Sequence, residues 1–457
     1  MRNIKDEIGK FINDRRVLIL GFGKEGRSTY HMLRSYFPKL EICISDLNTD
    51  ISKEKELEDD SFLSWVLGEG YMKALLHYDL VFKSPGISFK DYQVPTAQQI
   101  SSQTDLFIEL FHEQIIGITG TKGKSTTVSL IHHLLKADGK NVMLVGNIGI
   151  PALDILPQIN DDTIIVYELS SHQLEFITHS PHIAVFLNLY EEHLDHYVSY
   201  LAYQQAKANI TVFQESKDFL VYNPDDILVN KRIKESGSEA QQLPFCKIAK
   251  AKCTSLSNQI IQLYDGREFS IDLSKVSLLG KHNQLNFLAA LNVIAALDFD
   301  VKKAIEHIYD FKSLPHRLED VGIFNEIHFI NDSIATIPEA SIKAIETFDN
   351  LETLILGGYN RGIDYSIIID YLMERNVPNI ILLGEVGCLI RELLEEESYK
   401  LPLFDAKDMD DVVNIAMSKT KAGGICLLSP AASSYDIFHN FEDRGDQYKE
   451  KVREYSR

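Results

Sequence analysis

The sequence predicts an α/β protein built in three segments, each around a mainly parallel sheet. Three observations predict it. Short apolar runs alternate with helical patterns along the whole chain, the signature of strand–helix–strand units. Two glycine-rich turns, at residues 21–26 and 120–126, directly follow such runs and open helical patterns. A length of 457 residues accommodates about three domains at roughly 150 residues each.

The first segment, residues 1–97, has apolar strands at 17–20, 41–46 and 79–82, the last breaking at Ser84-Pro85-Gly86. Its first turn, Gly21-Phe22-Gly23-Lys24-Glu25-Gly26, is followed some twenty residues on by Asp46 at a strand end, which makes this a Rossmann-like segment. That fingerprint fits NAD, but the same turn can hold any diphosphate, and nothing downstream reads as hydride-transfer chemistry. The second segment, residues 98–312, carries strands at 115–118, 142–145, 163–167, 183–187 and 219–222 and closes in a long apolar helix through Leu288, Leu291, Ile294 and Leu297. The third, residues 313–457, repeats the doubly wound pattern with strands at 327–330, 353–356, 380–383 and 425–428, again Rossmann-like.

The strongest chemical signal is Gly120-Thr121-Lys122-Gly123-Lys124-Ser125-Thr126. Ile115, Ile116 and Ile118 end a buried strand before it, and Val128, Leu130, Ile131, Leu134 and Leu135 form one face of the helix after it. Glycines let successive backbone N–H groups turn inward around phosphate oxygens, and the helix N-terminus adds its positive dipole end. Lys124 is placed to reach the β- and γ-phosphates and Ser125 to sit on Mg²⁺. Position 118 is Ile where the full Walker pattern has Gly, so the motif is a shorter form. The reading is a P-loop-type central ATPase segment that binds ATP.

Glu168, after a buried strand in the same segment, is a natural Mg²⁺ ligand. His193 and His196, three apart among carboxylates, lack a clear third ligand for zinc. Periodicity places Lys207 on a helix surface without a special role.

Composition narrows the classes. A formal charge of −20 argues against general nucleic-acid or acidic-membrane binding. No apolar run reaches the length of a membrane span, and the N-terminus lacks an apolar signal core, which points to the cytoplasm. Five scattered cysteines without a Cys-x-x-Cys pair read as reduced core residues, not staples or zinc ligands.

Across all three segments, in order, the chain resembles the Mur ligase family, and its D-glutamate-adding branch in particular. The resemblance rests on the phosphate loop, Gly146-Asn147-Ile148-Gly149, Glu168-Leu169-Ser170-Ser171, Glu192-His193-Leu194-Asp195, Lys207 and Gly280-Lys281-His282-Asn283 with Asn286. In the third segment it rests on His316-Arg317, Asn331-Asp332-Ser333 and Gly357-Gly358. Ser84-Pro85-Gly86 and the stretches at 429–436 and 441–446 point to the branch.

The resemblance implies that Gly21, Phe22, Gly23, Asp46, Ser84, Gly86, Asn147 and His193 hold a UDP-muramoyl substrate, UDP-N-acetylmuramoyl-L-alanine. It implies ATP contacts from residues 120–126 and from Asn283, Asn286, Arg317 and Asp332. It implies two Mg²⁺ ions held by Ser125, Glu168, His193 and a carbamylated Lys207, with Lys124, Glu168, His193 and Lys207 catalytic. Thr336, Arg361, Ser434 and Phe441 would face the incoming D-glutamate, in a monomer.

Three positions depart from the family pattern: Lys122 where Asn is common, and Ile334 and Arg361 where lysines are usual. A relative adding another amino acid, or a folate-type polyglutamate ligase, is the alternative. It would keep the ATP site and change the first and third segments.

Overall fold

The computed structural model describes residues 3–92, 99–146, 150–276, 281–312 and 314–455, with the side chains of 281 and 282 excepted. It separates into two compact units, one of Met1–Ser274 with Gln284–Tyr309, the other of Lys275–Asn283 with Asp310–Arg457.

The first unit holds two parallel sheets. Strands β1 (Val17–Leu20), β2 (Ile42–Asp46), β3 (Leu63–Leu67), β4 (Leu80–Lys83) and β5 (Gln99–Ser101) lie in the order β3-β2-β1-β4-β5. Every pairing in this sheet is parallel. Helix Gln103–Phe111 leads into the next sheet, its start capped by Ser102 Oγ accepting from Asp105 N at 3.0 Å. Its Leu106, Phe107 and Ile108 are fully buried in a core that also takes in residues of the first sheet.

The second sheet comprises β6 (Ile115–Thr119), β7 (Val142–Gly146), β8 (Ile164–Glu168), β9 (Ile183–Phe186), β10 (Phe219–Tyr222) and β11 (Gln241–Pro244), ordered β11-β10-β9-β6-β8-β7. The chain leaves β6 toward one side for β7 and β8 and crosses to the other for β9. The C-terminal end of β6 is therefore the switch point, where open α/β sheets form their ligand crevice. A small antiparallel sheet, β12 (Ser255–Ser257), β13 (Ile260–Gln262) and β14 (Glu268–Ser270), follows.

The second unit is one six-stranded sheet: β15 (Glu319–Phe324), β16 (Ile327–Asn331), β17 (Leu351–Gly357), β18 (Asn379–Leu383), β19 (Leu403–Ala406) and β20 (Ile425–Leu428), in the order β15-β16-β20-β17-β18-β19. Only β15 is antiparallel within it. Val386, Ile390 and Leu394 of helix Gly384–Glu396 pack on one face, and Val412, Val413 and Ala416 of helix Met409–Lys419 belong to a separate core cluster with Phe329 and Tyr448.

The cysteines depart from expectation. Cys246 and Cys253 form a disulfide, with Cα atoms 6.2 Å apart, and Cys388 is exposed; only Cys43 and Cys426 are free and buried. Among the described residues no helix is long and apolar enough to cross a membrane.

Candidate functional site

At the C-terminal edge of the first sheet, Gly21 takes φ +87° and turns the chain after β1. A Cβ on Gly26 would sit 2.2 Å from the Gly21 carbonyl oxygen, so only glycine lets helix Lys24–Tyr36 approach the turn this closely. Asp46 accepts from the backbone N–H of Phe22 at 2.7 Å and of Asn48 at 2.8 Å. Ser84 donates to the Gly21 carbonyl at 2.6 Å. Gly21, Phe22, Asp46 and Ser84 thus converge, with Gly23 and Gly86 exposed in the turns beside them. Phe22 buries its ring beneath the Arg27 guanidinium, 4.7 Å from the ring centroid, and offers the turn its backbone. Asn147 lies outside the described residues.

The phosphate loop sits at the switch point after β6. Gly123 (φ +85°) caps helix Lys124–Ala137, and a Cβ there would lie 2.6 Å from Asn286 Oδ1. The loop is held from below: Asn188 Oδ1 accepts from Lys122 N at 2.8 Å, Asn188 Nδ2 donates to Lys122 O at 2.9 Å, and Thr121 Oγ1 lies 2.9 Å from the Tyr203 hydroxyl. Lys124 curls back to donate to the carbonyls of Gly120 at 2.9 Å and Thr121 at 3.1 Å, while Thr126 is buried in the first helical turn. Ser125 Oγ donates to Glu168 Oε1 at 3.3 Å across the β6–β8 pair, where Ile118 registers with Glu168.

Lys207 is where the structure overturns the surface reading. It is 2% exposed on helix Tyr200–Val212, donates to the Gly120 carbonyl at 2.8 Å, and lies 5.1 Å from the Tyr203 ring centroid. Burial, reinforced by the like charge of Lys124, holds its amine far below the ordinary lysine range, toward the neutral form. Periodicity could not show this, because Tyr203, Gln204, Ala206, Lys207, Ala208, Ile210 and Thr211 are all buried and the helix has no polar face to read.

His193 stands beside the loop in the left-handed region (φ +59°), its side chain 45% exposed. Burial, with smaller contributions from Lys207 and Lys124, lowers its pKa. The neighbouring Glu192 pairs with Lys122. The structure therefore gathers Lys122, Lys124, Ser125, Glu168, His193 and Lys207 around one loop.

Behind His193 lies a network that motif reading missed. The His172 ring centroid is 4.7 Å from that of His193 and 4.1 Å from that of His196. Glu175 Oε2 accepts from Lys83 Nζ at 3.1 Å and lies 3.2 Å from His196 Nε2. Lys83 comes from the end of β4 in the first sheet and is 4% exposed. Burial drives His172 down to about 3, so it is neutral at physiological pH. Ser88 Oγ and Lys90 Nζ donate to the carbonyls of His196 and Leu194 at 2.6 and 2.7 Å, so the loop carrying His193 is fastened to the segment after Ser84-Pro85-Gly86. The only sequence signal was the charge of Lys83 at the end of an apolar strand.

In the second unit Asp332, Thr336, Arg361 and Ser434 lie on loops that follow β16, β17 and β20, three adjacent strands, while Arg317 precedes β15 and Phe441 opens helix Phe441–Tyr455. Asp332 is buried, accepting from Leu318 N at 3.1 Å and Ser429 Oγ at 2.8 Å. Burial raises its carboxyl to about 7 against those hydrogen bonds and Arg317. Thr336 is half-buried, Ser434 is buried and Arg361 is exposed; Phe441 packs edge-on to His316 at 6.0 Å and accepts at its carbonyl from Ser333 Oγ. Arg444, fully buried, ties these loops together. It donates to Ser333 Oγ at 2.9 Å, to the carbonyls of Ser333 at 2.8 Å and Ala432 at 3.0 Å, and to the Ser433 carbonyl at 3.2 Å. Asn283 is buried in the opening turn of helix Lys281–Ala296.

Fold and loop together are those of a P-loop-type α/β protein. Residues 118–294 match the model of the Mur ligase middle domain. The chain is 32% identical to the UDP-N-acetylmuramoylalanine–D-glutamate ligase of Acetivibrio thermocellus over 98% of both chains. To the ligase of the same name from Symbiobacterium thermophilum it is 34% identical, over 85% of this chain and 86% of that one. It belongs to the Mur ligase family. Among solved structures, a MurF ligase from Thermotoga maritima in complex with ADP superposes with a TM-score of 0.59 at 17% identity over 100% of both chains. The UDP-N-acetylmuramate–alanine ligase of the same organism does so with a TM-score of 0.58 at 18% identity, over 96% of this chain and 100% of that one.

Proposed function

We propose that the protein is an ATP-dependent ligase joining D-glutamate to UDP-N-acetylmuramoyl-L-alanine through an acyl phosphate, a monomer acting in the cytoplasmic synthesis of peptidoglycan precursor. The names of the relatives it matches over most of their length support the substrate pair. The observation that carries the chemistry is the convergence of Lys124, the Ser125–Glu168 pair and the buried Lys207 on one phosphate loop.

ATP lies with its phosphates along the 120–126 backbone, where the Gly120–Gly123 turn and the helix dipole receive negative charge. Lys124 releases the carbonyls of Gly120 and Thr121 and turns to the β- and γ-phosphates. Asn283, Asn286, Arg317 and Asp332 contact the nucleotide. The Gly21–Asp46–Ser84 turn, with Gly86, Asn147 and His193, holds the uridine substrate so that its alanyl carboxylate faces the γ-phosphate. That carboxylate attacks phosphorus in line and ADP leaves. Positioning and charge neutralisation dominate such a step. The D-glutamate amine, presented by Thr336, Arg361, Ser434 and Phe441, then attacks the acyl carbon. Phosphate departs with the former carboxylate oxygen.

Mg²⁺ suits the donor set, since Ser125 Oγ and Glu168 Oε1 are hard oxygens 3.3 Å apart. His193 and a carbamate on Lys207 would complete a second position. When bound, such ions neutralise charge on the transferring oxygens. The carbamate forms when the neutral Lys207 amine attacks CO₂ and releases a proton, turning a buried neutral amine into an anion. The low proton affinity of Lys207 favours it. Phosphate release measured over a panel of uridine substrates, folates and amino acids tests the reading. Release should require UDP-N-acetylmuramoyl-L-alanine together with D-glutamate, with L-glutamate much poorer. Turnover with a folate, or none with the muramoyl substrate, overturns it.

A further inference from the structure

A second cluster of metal-ligating side chains lies at the opposite end of the central sheet. His112 immediately precedes β6 in a short turn of helix, His182 precedes β9, and Asp218 precedes β10. These three strands are neighbours in the order β10-β9-β6, so their entry residues stack side by side. Backbone bonds fix the stack: His182 N donates to the His112 carbonyl at 3.2 Å, and Phe219 N donates to the His182 carbonyl at 2.8 Å. One donor atom from each of the three lies within 4.8 Å of the others. The phosphate loop is about 17 Å away, the length of the five residues of β6.

The hydrogen bonds inside the cluster prescribe what it can hold. His112 Nδ1 lies 2.6 Å from the Ser180 carbonyl, which can only accept, so Nδ1 carries the proton. In the neutral ring Nε2 is then a bare lone pair, and it points at Asp218 Oδ1 from 3.1 Å. His182 Nδ1 faces the same oxygen at 2.8 Å. Two lone pairs cannot meet at that distance without a proton or a cation between them. A histidine whose other nitrogen donates to a backbone carbonyl is oriented as metal-ligating histidines are. Tetrahedral zinc with bonds near 2.0–2.1 Å separates its ligands by about 3.4 Å, so the two nitrogen–oxygen spacings would open by about 0.3 and 0.6 Å, with the two histidine donors already within 4.8 Å of each other. The second carboxylate oxygen is already held by Glu215 N at 2.8 Å, which leaves Oδ1 as the ligand. Asp218 is fully buried and both histidines are about one-fifth exposed.

We propose that His112, His182 and Asp218 form a binding site for a divalent transition metal of the zinc type, a clip across the entries of β6, β9 and β10 that is separate from the phosphate loop. Two histidines and one carboxylate are an N/O set that favours Zn²⁺ over Mg²⁺.

Zinc binding by the full chain is measured by competition with a chromophoric chelator, in excess Mg²⁺ and ADP to occupy the phosphate loop. The wild type and His193→Ala should each take up one equivalent at micromolar or tighter affinity and melt at a higher temperature with zinc. His112→Gln and His182→Gln should each lose at least tenfold in zinc affinity while keeping wild-type Mg²⁺·ATP turnover. In the wild type alone, imidazole ¹H–¹⁵N spectra should show two ring nitrogens moving to metal-bound shifts on zinc addition. Equal zinc affinity in the glutamine variants, loss of the equivalent in His193→Ala, or two unmoved rings in the wild type would each overturn the proposal.

Discussion

Replacing Lys207 by Met separates its structural role from its chemical one. Methionine keeps the length and apolar volume of the stem and removes the amine. The amine's one short hydrogen bond goes to the Gly120 carbonyl, which also accepts from Lys124 at 2.9 Å, so that carbonyl keeps a partner. The loss is therefore one neutral-type bond, about 0.5–1.5 kcal/mol, opposed by relief from burying a polar amine. The net change in folding stability should stay within about 1 kcal/mol. Turnover should nevertheless fall at least about 100-fold, about 2.7 kcal/mol in the barrier, because the carbamate can no longer form. Denaturant midpoints read the first quantity and steady-state phosphate release the second. ¹³C spectra of the wild type in labelled bicarbonate should show a carbamate resonance that Lys207→Met lacks. Turnover above a tenth of wild type in the variant, or no carbamate resonance in the parent, refutes the reasoning.

Arg361→Ala should raise the KM for D-glutamate by about 10- to 150-fold, the loss of a charged hydrogen-bonding partner worth about 1.5–3 kcal/mol, while the KM for ATP moves far less; equal shifts in both would remove Arg361 from the amino-acid site. Glu168→Gln should raise the Mg²⁺ concentration needed for half-maximal turnover at least tenfold, with the ATP-free protein folded as before, as read by circular dichroism. Asp332 makes a pH prediction. Its folded-state carboxyl is raised to about 7, so its contribution to stability is full below about pH 4 and is lost as pH rises through 7. The slope is about 1.4 kcal/mol per pH unit in that window. Asp332→Asn should lack this slope, so the stability difference between variant and wild type should itself change by about 1.4 kcal/mol per pH unit across that window; a pH-independent difference would contradict it.

Much of this was legible from residue order because strand ends carry the chemistry. The phosphate loop, Glu168, Asp46 and Ser84 each follow an apolar run that the structure confirms as a strand, and chain order alone placed them there. Lys207 was not legible: its helix exposes apolar Leu201 and buries polar Gln204 and Lys207, so the 3.6-residue period carries little contrast. Strand β15 escaped because it pairs with β16 through a tight turn at Asn325 and Glu326, both left-handed without a glycine to mark them. The disulfide escaped because Cys246 and Cys253 are seven residues apart in irregular chain, a spacing with no motif behind it. The Lys83–Glu175–His196 network joins elements nearly a hundred residues apart, and nothing local announces such a pairing.

The most direct test of the proposed ligation follows oxygen. UDP-N-acetylmuramoyl-L-alanine labelled with ¹⁸O in both alanyl carboxylate oxygens is turned over with ATP and D-glutamate, and the inorganic phosphate is analysed by mass spectrometry. An acyl phosphate requires one ¹⁸O in each phosphate released and one retained in the new amide carbonyl. Unlabelled phosphate accompanying full product formation would contradict attack of the carboxylate on ATP and with it the proposed reaction.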